Sequence, residues 1–445
     1  LTNIHKLVQT DSLTGLPNRS AFQEHARNNL VRVNQANTSL SVIYIDLDNF
    51  KFVNDKYGHE IGDALLIAVA DSFAKIVRPF GNGAETYRLS GDEFVALLPF
   101  ADHQAAQRTG LEIIELFKSG YSFSLGHFPV TVSLGVATYP NDGTTLSKLT
   151  SNADLAMYQA KKSGKNRLAT YSRQLAAEDR RIREIDTRLK ALNCDDEFCI
   201  VYMPISDPSG RICGCEALLR WESPVLGAVP AADFIPIAES TGSFKKIDTW
   251  VLDRTFQDAA AIFERLPADG QIAINISSAQ LASSQFVNVL SQLVKKHRIP
   301  PHKFTLEITE TFELHKNTSV LDRLNDLRKL GFKVAIDDFG TGYTSLMQMV
   351  DYPVDSIKFD MHLTQRITTP EKQGIGIALI ALCHLQNMHV VAEGIEEAEQ
   401  LAFLCDAGCD FLQGFYLGEP LPLDAWLAWL DTHQDLADRS LSPAT

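Results

Sequence analysis

The chain has no long hydrophobic run and no excess of basic charge. No stretch of 18 apolar residues occurs among its 445 residues, so nothing in it is predicted to span a membrane. Acidic residues outnumber basic ones by 55 to 41, which gives a net charge of −14. A duplex nucleic-acid binder that works by counterion release would normally be basic. We therefore expect no nucleic-acid partner and no direct membrane contact.

The seven cysteines also lack a recognisable pattern. Their number is odd, and no pair has zinc-finger spacing with histidines at a proper distance. We expect reduced, mostly buried thiols and a cytoplasmic location. The chain does not begin with Met, which leaves room for an upstream sensor or membrane anchor in a larger, membrane-tethered protein. Its length predicts two or three domains.

The second half is organised around residues 334–346, VAIDDFGTGYTSL. A short apolar run predicts a buried strand that stops at Asp337 and Asp338. Neighbouring carboxylates repel each other unless a cation lies between them, so the pair is a candidate two-metal clamp for phosphoryl chemistry. The alternative is a solvated loop start with an N-cap Asp.

Several other apolar runs in this half end in polar residues, and amphipathic stretches such as 320–330 and 375–387 lie between them as predicted helices. The polar residues at these predicted strand ends include Glu216, Asn275, Glu307, Lys358, Asp360, Glu393 and Gln413. Strand, polar tip and helix in repetition are typical of a TIM-type (β/α)8 barrel, in which such residues assemble an active site.

The first half shows a second acidic pattern. Residues 42–45 predict a strand that ends at Asp46, and residues 88–98, RLSGDEFVALL, predict a β-hairpin with acids at its tip. If Asp46 and Asp92 meet on adjacent strands, they can hold Mg²⁺ against a nucleoside triphosphate, in a palm-like arrangement for nucleotidyl transfer. Gly-Asp is also an ordinary turn pair, and plain turn chemistry is the alternative.

Three helices are predicted around these strands. The first opens at residues 58–63 and runs to Ala70, and the second covers 153–167, with Lys161 and Lys165 one turn apart on one face. Two such lysines are usually a solvated face, and they become phosphate contacts only if a triphosphate points at them. The charged, periodic segment 171–192 predicts a helical connector.

Four motifs of the first half occur in order: DSLTGLPNR (11–19), YIDLDNFKFVNDKYGHEIGD (44–63), SGDEF (90–94) and ADLAMYQAKKSGKNR (153–167). They resemble the GGDEF diguanylate cyclase family. The resemblance implies a palm-like α/β domain with a central, mostly antiparallel sheet over residues 1–170, which binds GTP with Mg²⁺. It implies metal ligation by Asp46, the Leu47 carbonyl and Asp92, guanine recognition by Asn54 and Asp63, nucleotide contacts from Lys161, Lys165 and Gly91, and a catalytic or metal-associated role for Glu93.

The first half departs from the family pattern at two places. Ser90 stands where the signature has its first Gly, and because Ser is small we expect GTP binding to survive, while cyclisation stays open. The charged positions of the family's RxxD product-inhibition motif would be Gly81 and Ala84, so feedback at that site is not expected.

The second half carries EALLRW (216–221), FIPIAESTG (234–242), NIS (275–277), EITE (307–310), DDFGTGYTSL (337–346), KFD (358–360), AEGIE (392–396) and QGFYLGEP (413–420). These motifs resemble the EAL-domain cyclic di-GMP phosphodiesterases. The resemblance implies that a barrel domain over 193–435, after a linker at 171–192 and before a tail at 436–445, hydrolyses cyclic di-GMP to pGpG with two Mg²⁺ or Mn²⁺ ions.

The resemblance also implies residue roles. Glu216, Asn275, Glu307 and Asp337 would hold one metal, with Asp337 bridging to a second site served by Asp338, Asp360 and Glu393. Lys358 would orient water or stabilise phosphate charge, and Glu310 would pin the FGTGY loop. Arg220, Leu218 and Gln413 would contact the substrate. Met203 replaces a Gln that the family usually has, which is expected to lower affinity because Met cannot hydrogen-bond the substrate in the same way. Thr344 in place of the usual Ser is conservative.

The leading hypothesis is therefore a cyclic di-GMP phosphodiesterase. Its GGDEF half would either synthesise cyclic di-GMP, which needs a homodimer with two GTP-loaded domains face to face, or activate the phosphodiesterase on binding GTP. The alternative is a catalytically silent receptor of cyclic di-GMP and GTP that signals to a partner.

Overall fold

The computed structural model describes residues 9–309, 318–340 and 352–433. The chain divides into two compact units, Leu1–Arg181 and Ile182–Thr445. The division falls inside the segment predicted as a connector. No helix among the described residues is long and apolar enough to cross a membrane. All seven cysteines are free, and five of them are buried.

The first unit alternates helices and strands along the chain. Its elements are α1 (Arg19–Gln35), β1 (Leu40–Asp48), α2 (Phe50–Tyr57), α3 (His59–Val77), β2 (Glu85–Ser90), β3 (Glu93–Pro99), α4 (His103–Leu116), β4 (Tyr121–Phe123), β5 (Gly126–Phe128), β6 (Thr131–Tyr139), α5 (Leu146–Lys162) and β7 (Arg167–Thr170).

Five of these strands form one sheet in the order β2-β3-β1-β6-β7. Only the β6–β7 pair is parallel, which confirms the predicted mostly antiparallel sheet. Side chains of β1 alternate between two cores because successive residues of a strand point to opposite faces. Ile43 and Ile45 pack with α3 and α4, whereas Val42 and Tyr44 pack with α1 and α5. The sheet is therefore covered on both faces, and the ends of its central strands are left for chemistry.

Two helix predictions in this unit were inaccurate. Helix α3 runs to Val77 rather than Ala70. Helix α5 begins at Leu146 and ends at Lys162, so Lys165 does not share a helix face with Lys161. The reason is local, because Gly164, Lys165 and Asn166 have φ angles of 111°, 58° and 47°, which end the helix and lead into β7.

The next element is a long helix, α6 (Arg173–Ala191), as the charged periodic segment predicts. The remaining elements are α7 (Cys194–Glu197), β8 (Phe198–Ser206), β9 (Ile212–Ser223), β10 (Gly227–Val229), α8 (Ala231–Thr241), α9 (Phe244–Phe263), β11 (Gln271–Asn275), α10 (Ser278–Ala282), α11 (Phe286–His297), β12 (Phe304–Thr309), α12 (Thr318–Leu330), β13 (Lys333–Phe339), β14 (Ser356–Phe359), α13 (Met361–Ile367), α14 (Gln373–Leu385), β15 (His389–Ala392), α15 (Ala398–Asp406), β16 (Phe411–Leu412), β17 (Leu421–Pro422) and α16 (Leu423–His433).

Eight strands of the second unit close into a barrel in the order β9-β11-β12-β13-β14-β15-β16-β8, with β8 pairing back to β9. The predicted barrel is confirmed, with one difference: β8 runs antiparallel to both of its neighbours. The connection from β8 to β9 spans only residues 207–211, where the Asp207 carboxylate accepts hydrogen bonds from the backbone N–H groups of Ser209 and Arg211. A turn this short permits only an antiparallel pair, since a parallel crossover needs a dozen or more residues.

Candidate active site

The ammonium group of Lys358 lies among four carboxylates inside the barrel. Its Nζ is 2.7 Å from Glu393, 2.9 Å from Glu307, 3.2 Å from Asp337 and 3.3 Å from Glu216, and the lysine side chain is 1% exposed. The four acids come from or directly follow β9, β12, β13 and β15. The strand-end residues of the sequence are thus gathered around one buried cation.

Glu216 is the hydrogen-bonded centre of this group. Its two carboxylate oxygens accept from Asn275 Nδ2 and Gln413 Nε2, each at 2.7 Å. The prediction that Glu216 ends its strand was wrong, since β9 continues to Ser223. Glu216 still lies level with the end of the sheet, because Ala273, two residues before the end of β11, is its partner in register.

The charges shift the pKa values of these groups in different directions. Burial lowers the pKa of Lys358, but the four acids more than offset this and hold it well above its usual range. Burial raises the pKa of Glu307 well above its ordinary value and that of Glu393 to about 7, with Lys358 opposing both shifts. Burial also acts on Glu216, yet Lys358 and the two amide donors bring its pKa below the ordinary value.

Two sets of carboxylate oxygens lie close enough to share a metal ion. Glu216, Glu307 and Asp337 form one set, and Asp337, Asp338 and Glu393 form the other, with the ligand atoms of each set within 4.8 Å of one another. All of these donors are carboxylate oxygens, the type that Mg²⁺ and Mn²⁺ prefer. The donor set therefore fits the implied pair of divalent cations, and Asp337 belongs to both sets.

Asp338 and Asp360 occupy the edge of this cluster. Asp338 is exposed and has a φ angle of 56°. The surrounding protein still partly desolvates its carboxyl group, which raises its pKa, and the charges of Asp337 and Asp360 add to the rise while Lys358 opposes it. Asp360 caps α13 by accepting from the backbone N–H groups of His362 and Leu363 at 2.8 and 3.3 Å, and it belongs to neither oxygen set. Its role at a metal stays a prediction.

The predicted substrate contacts follow from the register of β9. Leu218 and Arg220 alternate with Glu216 and so point to the same face of the strand. Met203 lies directly opposite Glu216 across the β8–β9 pair, on that same face. The Oε1 atom of Gln413 is buried and has no hydrogen-bond partner within the part of the chain that the structure describes. Polar and apolar groups for a ligand therefore surround the carboxylates.

Two of the predicted positions and part of one motif fall in segments of the chain that the structure does not describe. Glu310 and Thr344, together with most of the FGTGY segment, lie outside the described residues.

A second acidic site lies at the end of β1 in the first unit. The side chain of Asp46 is 9% exposed, and its Oδ1 is 2.7 Å from Lys161 Nζ. The backbone N–H of Leu47 donates to the carbonyl of Asp92 at 3.3 Å, which joins the hairpin tip to β1. Burial raises the pKa of Asp46 to about 6, and the charge of Asp92 adds to the rise while Lys161 opposes it. The structure thus brings together Asp46, Leu47, Asp92 and Lys161.

The other predicted nucleotide-binding residues of this unit either contact the end of β1 or lie on the two helices that follow it. Lys165 Nζ donates to Asn49 Oδ1 at 3.0 Å, directly after β1. Asn54 belongs to α2, and exposed Asp63 belongs to α3. The two helices pack closely because residue 62 is Gly: a Cβ there would lie 1.9 Å from Asn54 Oδ1.

The SGDEF turn has supports that the sequence reasoning missed. Arg88 donates twice to the Gly91 carbonyl, at 3.0 and 2.8 Å, and once to Asp11 at 2.9 Å. Ser90 Oγ donates to Glu93 Oε2 at 2.9 Å. Arg88 and Asp11 both lie within motifs quoted above, so the sequence contained both residues of the pair. Their pairing across 77 positions is visible only in the tertiary structure.

Asp248 on α9 is a second residue that the sequence reasoning missed. Its Oδ2 accepts a hydrogen bond at 3.0 Å from the Oγ of Ser277, a residue two positions after Asn275. Burial raises its pKa to about 7, with a smaller contribution from Glu239. Folding therefore favours the protonated acid, and the stability that this confers is complete below about pH 4 and is lost as the pH rises through 7.

We expect Asp248→Asn to remove part of this pH dependence. Between pH 5.5 and 8, the melting temperature of the variant should fall by less than that of the wild type, because an amide cannot ionise. Differential scanning calorimetry at both pH values measures this, with the exposed Asp406→Asn as control. Parallel falls in wild type and variant would mean that Asp248 does not titrate in this range.

Comparisons with known proteins match each half of the chain to a known domain family. A family model described as the EAL domain matches residues 186–420, and one described as the diguanylate cyclase GGDEF domain matches residues 8–167. The chain is 42% identical over 431 residues to the biofilm architecture maintenance protein MbaA of Vibrio cholerae, covering 95% of this chain and 54% of MbaA.

A second relative is the bifunctional diguanylate cyclase/cyclic di-GMP phosphodiesterase MucR of Pseudomonas aeruginosa, 34% identical over 425 residues, with 95% of this chain and 62% of MucR covered. The chain thus spans little more than half the length of these relatives. A solved structure of the PaMucR phosphodiesterase in complex with c-di-GMP matches with a TM-score of 0.52 at 33% identity, covering 55% of this chain and 99% of that one.

Proposed function

Because this chain belongs to the family of tandem GGDEF–EAL proteins, we propose that its second unit hydrolyses cyclic di-GMP to the linear dinucleotide pGpG. The observation that carries the proposal is the pair of carboxylate sets that share Asp337 around the buried Lys358. One relative supports the choice of substrate in two ways: MucR is named a bifunctional diguanylate cyclase/cyclic di-GMP phosphodiesterase, and the PaMucR phosphodiesterase was solved in complex with c-di-GMP.

In this proposal the carboxylates hold two Mg²⁺ or Mn²⁺ ions. Glu216, Glu307 and Asp337, with Asn275 beside them, would hold one ion, and Asp337, Asp338 and Glu393 would hold the other. Bound there, such ions would polarise the phosphodiester and make water a better nucleophile. The surrounding residues supply the rest of the site.

Lys358 places a buried positive charge where negative charge grows on the phosphate during hydrolysis. Without bound metal, its four contacts with acids hold the pKa of Lys358 well above its usual range, and we propose that it acts through charge and not as a base. Asn275 and Gln413 hold Glu216 in one orientation through its two oxygens. This keeps the ligand geometry fixed before substrate arrives.

The substrate would be held by the same face of β9 and by Gln413. Arg220 has no carboxylate partner among the residues that the structure describes, and its Nη1 donates to the Leu219 carbonyl at 3.0 Å. The other N–H groups of its guanidinium are available for a phosphate. The buried Oε1 of Gln413 is an unused acceptor for an N–H group of a base. Leu218 offers apolar contact between them.

For the first unit we propose GTP binding with Mg²⁺ at Asp46, Asp92 and the Leu47 carbonyl, with guanine read by Asn54 and Asp63. The hydrogen bond from Ser90 occupies one oxygen of Glu93, the acid to which the family resemblance assigns a catalytic role. This favours a GTP-sensing regulator of the phosphodiesterase over an active cyclase. Synthesis of cyclic di-GMP would require a homodimer in which two such units face each other.

The test is an incubation of the purified chain with Mg²⁺ and cyclic di-GMP, with and without GTP, followed by chromatography. We expect pGpG to form only with the divalent cation, and GTP to raise its rate without being consumed. Conversion of GTP to cyclic di-GMP would show that the first unit is a cyclase. Binding of cyclic di-GMP without any turnover would make the chain a receptor and refute the hydrolase.

A further inference from the structure

A cleft of about 860 Å³ lies in the second unit and shares no lining residue with the carboxylate site. One wall is a single face of α9, which carries Lys246, Trp250, Asp253, Arg254 and Gln257 at helical spacing of three and four residues. The other wall consists of the end of α6, Asn193 and the start of α7. The volume of the cleft is in the range of small-molecule binding sites in proteins.

The cleft concentrates positive charge in a chain whose net charge is −14. Its cationic lining residues are Lys190, Lys245, Lys246 and Arg254. Lys190 pairs with Asp186 and Arg254 with Asp258, in both cases one turn along the same helix. Neither Lys245 nor Lys246 has a carboxylate within 4.0 Å in the described part of the chain, and Lys246 Nζ donates only to the Leu192 carbonyl, at 2.7 Å.

The two acids of the lining do not fully neutralise these lysines. Asp253 is bound to Lys296 at 2.5 Å and to His297 at 3.1 Å, both outside the cleft. Asp195 accepts from the indole N–H of Trp250 at 2.7 Å. Asp195 keeps its negative charge, because the indole N–H that it accepts from is neutral, so the cleft retains a surplus of one positive charge. The exposed ends of the Lys245 and Lys246 side chains can close on an anion.

Trp250 adds an aromatic surface to this charge. The hydrogen bond to Asp195 and a ring contact with Phe198, at 5.8 Å between centroids, fix the position of its indole. The side chain is half-buried and lines the cleft. A fixed indole is a platform on which a nucleic-acid base can stack, a contact worth about 1–3 kcal/mol per base.

We propose that this cleft is a binding site for a nucleoside phosphate, with the base against Trp250 and the phosphates at Lys245 and Lys246. The first turn of α9 adds backbone N–H donors at the same place, because Ser243 makes no side-chain cap there. The ligand would also contact Lys190 at the end of α6. It would thus join the connector helix to the barrel at a place distinct from both proposed nucleotide sites.

The experiment is a titration of tryptophan fluorescence in the full chain with GDP and with ADP, in the presence of EDTA. Of the other three tryptophans, Trp221 and Trp426 are fully buried and Trp429 stacks on Trp426 and His433, so Trp250→Phe identifies the responding residue. We expect a saturable change that Trp250→Phe abolishes. In the double variant Lys245→Met/Lys246→Met the dissociation constant should rise by about tenfold or more, which corresponds to at least about 1.4 kcal/mol. Because no metal is present, the result does not depend on hydrolysis or on the proposed phosphodiesterase.

Matched variants locate the site. Lys329→Met removes another exposed lysine of the second unit and should leave the titration unchanged. Asp63→Ala removes a proposed guanine contact of the first unit and should also leave it unchanged. The proposal is overturned by the absence of a saturable change with either nucleotide, by an equal loss in Lys329→Met, or by loss of the signal in Asp63→Ala. Inorganic pyrophosphate that competes as tightly as GDP would overturn the assigned contact between base and Trp250.

Discussion

Glu216→Gln is expected to abolish hydrolysis of cyclic di-GMP while the barrel stays folded. The substitution keeps the size of the side chain, but it replaces one of the two oxygens that accept from Asn275 and Gln413 with an NH2 donor. It also removes the charge that the first oxygen set contributes. Loss of groups that only support metal ligands already costs about 10- to 100-fold. Removal of a ligand itself should therefore lower the rate of pGpG formation by more than about a hundredfold.

Glu222→Gln is the matched control, because Glu222 is an exposed acid on the same strand. It should hydrolyse cyclic di-GMP at the wild-type rate. Both variants should melt cooperatively, as measured by circular dichroism, so that a loss of rate can be separated from unfolding. Full turnover by folded Glu216→Gln would remove Glu216 from the proposed metal site.

Lys358→Met is expected to destabilise the metal-free protein strongly and to make it more dependent on divalent cations. The ammonium is within 3.3 Å of all four acids, so its removal leaves buried carboxylates without a counter-charge. Removing one partner of a buried ion pair typically costs about 3–5 kcal/mol. For a unit of this size we expect the melting temperature in EDTA to fall on the order of 10 °C.

Mg²⁺ should restore most of this loss, since a divalent cation supplies the missing positive charge. The shift in melting temperature on adding Mg²⁺ should thus be larger for Lys358→Met than for the wild type. Lys329→Met, which removes an exposed lysine, should respond to Mg²⁺ as the wild type does. An unchanged melting temperature in EDTA, or equal Mg²⁺ shifts in all three proteins, would mean that Lys358 is not the counter-ion of the carboxylates. Hydrolysis should also be lost, because the same ammonium is proposed to stabilise charge on the phosphate.

Much of the architecture could be predicted from local patterns in the chain. Apolar runs that end in polar residues, separated by amphipathic stretches, predicted the barrel and placed Asp337, Lys358 and Glu393 at its strand ends. The hairpin around SGDEF was also predicted, because turn residues and flanking apolar runs act over a few positions. These features depend on neighbours in sequence, so a linear reading can find them.

The errors share a different cause. The reversed direction of β8 follows from a five-residue turn closed by Asp207, and the extension of β9 past Glu216 follows from its pairing with β8 and β10. The displacement of Lys165 from the helix follows from three residues with positive φ. In each case side-chain periodicity gave the type of element, while the backbone conformation at its end decided where the functional residue lies.

By itself the sequence determined the class of each unit, the acidic character of both sites and the residue types available to bind metal and phosphate. Only the tertiary structure decided which groups share a space. It placed the Lys358 ammonium within reach of four acids and paired Arg88 with Asp11. It also buried Asp248 against Ser277 and brought Lys245 and Lys246 into one cleft with Trp250. Electrostatic interaction depends on distance and on burial, and neither quantity can be read from the order of residues along the chain.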